Sequence, residues 1–393
     1  MLQRMYTAYG IVASQFKQRL SPLVTFTGFI LLHGLVTVGL VADRVFFPAL
    51  RRTKISGPIV IVGNPRSGTT FLHRFLVEHE LGAGMRIWKM LYPSPTLQVP
   101  LQPLLPLLEK ISPARHHAHA AHETNLTAIE TDDPSLLFRY FDGLFLYGFF
   151  YAWSKTETLD GFEQRFVANA ERDFNWYESL WRRNLVSEKR DRVVAKLFSL
   201  SLRLPQFLRR FPDAKVLYMV RDPLETVPSG LSLVTGVLDG RFGFWSLPLE
   251  QRQHFIENMY AALLRLSLRF HEDYTSGRIP PDNLYIVTFP RLMQQFDVVM
   301  DDILKFVDVE PSAELKQTIR SIADKQRRYK SAHQYDLARF GLTEERIRRD
   351  YAVIYDTFLQ DASLNESSLS ESGSNDEAGS EQAAAESQQV SPA

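Results

Sequence analysis

The 393-residue chain contains no cysteine, which excludes disulfides and thiolate-bound metals. That absence does not fix a compartment. Net charge is also absent, with 45 lysines and arginines against 45 aspartates and glutamates. The balance is uneven along the chain. Between Gln360 and Ala393 there is no lysine or arginine, while seven carboxylates from Asp361 to Glu386 are present, so the rest is modestly basic. An excess this small does not point to nucleic acid, yet it suits an enzyme that holds a multiply anionic ligand. The tail is Ser, Glu, Gln and Ala with almost nothing apolar; it cannot offset its own ordering entropy, and residues 360–393 are expected to be a disordered acidic tail. A hydrophobic content of 45% leaves enough apolar surface elsewhere for a large core or two modules.

Charge is missing again from Leu23 to Ala42, LVTFTGFILLHGLVTVGLVA. This run is about the length needed to cross roughly 30 Å of hydrocarbon. Arg4, Lys17 and Arg19 precede it, and Arg44, Arg51, Arg52 and Lys54 follow it, so charge bias sets no orientation. Residues 1–54 therefore read as an N-terminal membrane-associated segment, single-pass or peripheral. An apolar helix packed on the rest of the protein or lying in the interface is the alternative.

What is present begins with Pro58-Ile-Val-Ile-Val-Gly-Asn-Pro-Arg-Ser-Gly-Thr-Thr-Phe-Leu-His73, an apolar strand, a glycine-flanked loop and a helix start. Gly63 and Gly68 let the backbone curl so that its N–H groups turn inward over the positive end of the helix dipole, an anion cradle. A nucleoside-triphosphate loop would carry lysine where Thr69 stands. Here the cation is Arg66, inside the loop, and Thr69 and Thr70 offer hydroxyls, so the site is suited to a charged terminal group without a metal. A second apolar strand, Lys215-Val-Leu-Tyr-Met-Val220, ends in Arg221-Asp-Pro223 and leads into a helix that carries Ser229. The step from Arg221 to Ser229 can bring both side chains to one phosphate at the strand's C-terminal edge.

These two motifs together resemble those of the sulfotransferases that use 3′-phosphoadenosine-5′-phosphosulfate (PAPS). The resemblance extends over roughly residues 55–355. It implies that Arg66, Ser67, Gly68, Thr69 and Thr70 hold the 5′-phosphosulfate and that Arg221 and Ser229 hold the 3′-phosphate, with no metal. A P-loop kinase is the alternative enzyme, opposed by Thr69 and by the lack of an evident magnesium-binding aspartate. A nucleotide-binding scaffold without activity is the non-enzymatic one.

Strands at 58–63, 192–198, 215–220 and 284–289 alternate with helices at 69–80, 202–210, 252–272 and 291–307, the pattern of an α/β fold. The expected architecture is a three-layer parallel sheet with helices on both faces, P-loop NTPase-like, preceded by an apolar helix. Helical periodicity also marks 160–185, and the proline-rich stretch 87–113 reads as a wandering segment with short helices.

Sulfuryl transfer needs charge stabilised on the leaving oxygen and a proton taken from the acceptor hydroxyl. Arg66 and Lys196 are the candidates for the first task, because the resemblance places a loop cation and a strand lysine beside the donor. The base is less direct. The residues after Lys196 are Leu197-Phe-Ser-Leu-Ser201, with no histidine where related enzymes often carry one. His122, followed by Glu130, is the candidate, with Glu123 and Asp132 nearby. The cluster His116 to His122 lacks a metal-ligand pattern such as H-E-x-x-H. The acceptor is open among a lipid, a glycan and a small alcohol or phenol. The aromatic run Phe138 to Trp153 would line an apolar acceptor pocket or belong to the core.

Overall fold

A computed structural model describes residues 1–111, 125–328 and 336–360. Four strands form one parallel sheet: β1 (Ile59–Gly63), β2 (Val194–Lys196), β3 (Lys215–Val220) and β4 (Leu284–Thr288), in the order β2-β1-β3-β4. These are the four strands expected from the sequence. The neighbours run in parallel register, Ile59 opposite both Val194 and Lys215, and Val216 opposite Leu284. Parallel strands covered on both faces read as continuous apolar runs, and β1 is buried at every position.

Alternation along the strands divides the interior into two cores. Val60, Val62, Val216, Tyr218 and Val220 face the larger one, which also contains the helices Ala170–Glu188, Pro223–Phe242 and Leu249–Thr275. Ile59, Ile61, Leu217 and Met219 face the smaller one, against the helices Thr69–Glu78, Phe296–Phe306 and Ala313–Arg327. The sheet is thus the middle of three layers. The helix expected over 160–185 is two helices, Leu159–Ala168 and Ala170–Glu188, and that over 291–307 is Phe289–Gln294 and Phe296–Phe306. Most of the aromatic run belongs to the larger core: Tyr147, Tyr151 and Trp153 are fully buried, and Trp153 stacks on Phe255.

Two helices precede the sheet, α1 (Leu2–Gln15) and α2 (Leu20–Phe46). Helix α1, which the charge pattern did not announce, places Met5, Ala8 and Ile11 in the larger core. Arg4 donates to the carbonyls of Tyr140 and Phe141. Among the described residues α2 is the helix long and apolar enough to cross a membrane, and only 11% of its most apolar stretch is buried.

The N-terminal edge of the sheet is laced by its own bonds. Gly57 N donates to Asp213 at 2.6 Å, Arg192 donates to the carbonyls of Gly57 and Val307, and Asn283 donates to those of Pro212 and Ala214. The C-terminal edge is left to the loops that carry the motifs. Because the chain passes from β1 outward to β2 and then back across to β3, the crevice between β1 and β3 is the switch point at which open α/β sheets bind ligands.

Candidate active site

The first loop leaves β1 through Gly63, whose φ is +136° and where a Cβ would lie 2.4 Å from Met219 O. No other residue fits that approach between neighbouring strands. Ser67 N then donates to Asn64 O, closing a turn with Pro65 and Arg66 at its centre. Proline suits the first central position of a type II turn, and the second requires positive φ. Arg66 supplies it at +74°, a conformation ordinarily left to glycine. Gly68 follows at +85° and caps the helix Thr69–Glu78, where a Cβ would meet the Phe289 ring at 2.9 Å. These three residues set the path of the loop, which ends on the N-terminus of the helix Thr69–Glu78.

Three side chains named from sequence meet over this loop. Arg66 Nε donates to Ser229 Oγ at 2.9 Å, across 163 positions of sequence. Arg221 Nη1 donates to Arg66 O at 3.2 Å. The guanidinium of Arg221 lies 4.0 Å from the centre of the Phe289 ring, a cation–π contact at the end of β4, and it is also paired with Glu225 one turn along. Asp222 caps the following helix by accepting from Leu224 N at 2.8 Å.

On the other side of the loop lies Lys196, the last residue of β2. Its Nζ donates to Thr70 Oγ1 at 2.9 Å and is 3.5 Å from Glu130 Oε2. Glu130 accepts in turn from Arg74 at 2.9 Å. Lys196 is almost completely buried, and burial holds its ammonium below the ordinary lysine value; the Glu130 carboxylate opposes that shift and Arg74 adds to it.

Residues 130–133 are held there by the end of β2. Thr131 Oγ1 and Asp132 N both donate to Lys196 O, and Asp133 accepts from Phe198 N, Ser199 N and Ser199 Oγ. Ser199, in the stretch that lacks the expected histidine, thus ties down the acidic segment. Burial raises both carboxyls, that of Asp132 to about 8 despite the bond donated by Trp181 Nε1. His73 is buried, bonded to Val194 O, and pushed down to about 3, so it is a neutral link between helix and strand.

The structure brings Arg66, Ser67 and Gly68 of the loop together with Thr69 and Thr70 of the helix start, sets Arg221 and Ser229 on one side, and places Lys196 and Glu130 on the other. His122, with the cluster His116 to His122, Glu123, the segment Tyr329 to His333 and the tail after Gln360, lies outside the described residues. Among the described residues no group of three histidine, aspartate or glutamate side chains is placed to hold a metal. Sequence reasoning missed Arg74, Glu225 and Phe289. A signal existed for two of them: Arg74 follows Thr70 by four residues on one helix face, and Glu225, in the first turn of its helix, follows Arg221 by four across the cap.

The fold has solved relatives. The sulfotransferase STF1 from Mycobacterium tuberculosis H37Rv superposes with a TM-score of 0.64 at 19% identity, covering 89% of this chain and 90% of that one. The sulfotransferase STF9 from Mycobacterium avium gives 0.60 at 19% identity over 81% of each. No curated protein sequence shows a significant match. The profile of the sulfotransferase family matches residues 58–314, well over half of the chain and the whole of the sheet with its two loops, and by that match the protein belongs to the sulfotransferase family.

Proposed function

We propose that the protein transfers a sulfuryl group from PAPS to an acceptor hydroxyl by in-line displacement. The S–O bond to the bridging oxygen of the donor breaks as one to the acceptor oxygen forms. The acceptor proton goes to a base, and 3′,5′-adenosine bisphosphate leaves. The observation that carries this reading is the convergence of Arg66, Ser229 and Arg221 on one side of the loop with Lys196 and Thr70 on the other.

Each group has a task fitted to its chemistry. The loop N–H groups and the hydroxyls of Ser67, Thr69 and Thr70 would hold the 5′-phosphosulfate, and Arg221 with Ser229 the 3′-phosphate. Arg66 and Lys196 stabilise charge on the bridging oxygen, where a buried cation is worth far more than one in water. Glu130 orients Lys196 and is one of two candidates for the base, His122 being the other. No carboxylate other than Glu130 and Glu225 contacts these cations among the described residues, which fits an anionic donor.

Incubation with labelled PAPS and a panel of lipid, glycan and phenolic acceptors, followed by mass spectrometry, tests the reading. A product heavier by one sulfate is expected, together with released bisphosphate. Binding of 3′,5′-adenosine bisphosphate no tighter than that of 5′-AMP would overturn the donor assignment.

A further inference from the structure

Helix α2 has two faces that do not mix. Pro22, Val36, Gly39 and Asp43 are buried at the spacing of one helical seam, and Phe26 and Phe29 on the same seam pack against Phe141. The opposite face exposes Leu23, Val24, Leu31, Leu35, Val38 and Val41. No charge interrupts that face between Leu20 and Ala42.

The seam is tied to the rest of the protein along the whole helix. Arg241 donates to Ser21 near its start, Arg139 to Thr37 further on, and Arg183 to the buried Asp43 near its end. Asp43 also accepts from Ser94 and from Thr96, and Gly39 lies so close to Leu97 that a Cβ would be 2.6 Å from it. A helix of this length spans about 40 Å. Standing it across roughly 30 Å of hydrocarbon would carry Arg139, bonded at Thr37, and the chain at Leu97, packed on Gly39, into the bilayer or tear the seam apart.

We infer that α2 lies in the plane of an anionic lipid surface as a docking face, with its aliphatic side in the acyl boundary and its other side fastened to the enzyme. Charge supports that occupant. Lys17 and Arg19 before the helix, Arg44 in its last turn, and Arg51 and Arg52 after it are all exposed, whereas Asp43, the one carboxylate in residues 1–54, is buried. The face is therefore apolar at its centre and cationic at both ends, which complements lipid headgroups. A second copy laid on it, in either direction, would set cations against cations.

The inference is independent of the reaction, and the test keeps the two apart. Full-length protein is sedimented with phosphatidylcholine vesicles with and without phosphatidylserine. Binding strengthened by phosphatidylserine is expected, and Leu35→Glu, at an exposed site, should weaken it by about tenfold or more while turnover on a water-soluble acceptor is unchanged. Because the chain has no cysteine, Val24→Cys, Leu31→Cys, Val38→Cys and Val45→Cys each carry a single environment-sensitive dye on one helix face. Equal, shallow depths at all four by quenching support the in-plane helix. Deep labels at Leu31→Cys and Val38→Cys with shallow ones at the ends mean a spanning helix and overturn it. Absence of vesicle binding also overturns it, whether light scattering gives a monomer or a dimer that Leu35→Glu dissociates.

Discussion

The ammonium of Lys196 bonds to the hydroxyl of Thr70, joining the end of β2 to the first turn of the helix that follows β1, 126 positions away. Through that contact a buried cation is held beside the loop that follows β1 without being part of it. Lys196→Ala should lower kcat by two orders of magnitude or so while the affinity for 3′,5′-adenosine bisphosphate changes little, because the interaction grows only as the leaving oxygen gains charge. Steady-state rates set against calorimetric affinities check this. Equal losses in both would make Lys196 a binding residue.

Asp132 gives a pH dependence of stability whose sign can be worked out. Its folded pKa, about 8, lies above the ordinary 3.8, so between those values the unfolded chain gives up a proton that the native one keeps. Stability contributed by the protonated side chain is present in full below pH 3.8 and declines as pH rises toward 8, by at most about 1.4 kcal/mol per pH unit. Asp132→Asn should remove that decline. Its melting temperature should exceed that of the native sequence by most near pH 8 and by least in acid. A gap independent of pH would show that the Asp132 carboxyl titrates alike in the folded and unfolded chains.

Arg221 faces two claimants, Glu225 and the anion expected at the loop. Arg221→Ala should cost about 1.5–3 kcal/mol of bisphosphate affinity and abolish most of the preference over 5′-AMP. Glu225→Gln should do the reverse, tightening the bisphosphate severalfold by removing the competitor. Calorimetry on the two variants reads both signs, and a weaker complex with Glu225→Gln would mean that Glu225 positions Arg221 instead.

Arg66 sits in a conformation that favours glycine. Arg66→Gly should relieve roughly 1 kcal/mol of backbone strain, partly offset by the greater freedom of the unfolded chain, and should leave the melting temperature equal or higher. Turnover should fall steeply, since the cation is gone. Parallel thermal melts and rates would show whether strain here serves the chemistry.

Removing residues 1–53 deletes α1 as well as α2. Met5, Ile11 and Val12 are buried, each worth about 1.5–3 kcal/mol relative to exposure. A chain beginning at Lys54 retains every candidate site residue, but its unfolding should lose cooperativity or shift to much lower denaturant. One beginning at Leu20 would keep α2 and isolate the contribution of α1. An unchanged midpoint for both would show that the core tolerates the loss.

The sheet was legible because strands covered on both faces must be apolar almost throughout, and β1 and β3 are, Lys215 at the start of β3 excepted. The loop was legible because Gly63, Pro65 and Gly68 each answer a local backbone demand. Helix α1 was not, since its four buried residues sit among polar ones at a spacing that charge counting overlooks. Nor was the role of Glu130, whose place beside Lys196 depends on Asp133 reaching Ser199 across 66 positions. Such a tether is a product of tertiary packing. Phe289 was visible as the end of a strand, but its stacking under Arg221 appears only when β3 and β4 are side by side.

The two edges of the sheet divide the labour of the molecule between persistence and reactivity. Arg192, Asp213 and Asn283 lace one edge; the residues of the two loops and Lys196 crowd the other. Mutational drift can then act on the two properties almost separately, altering how long the protein lasts from one end and what it does from the other.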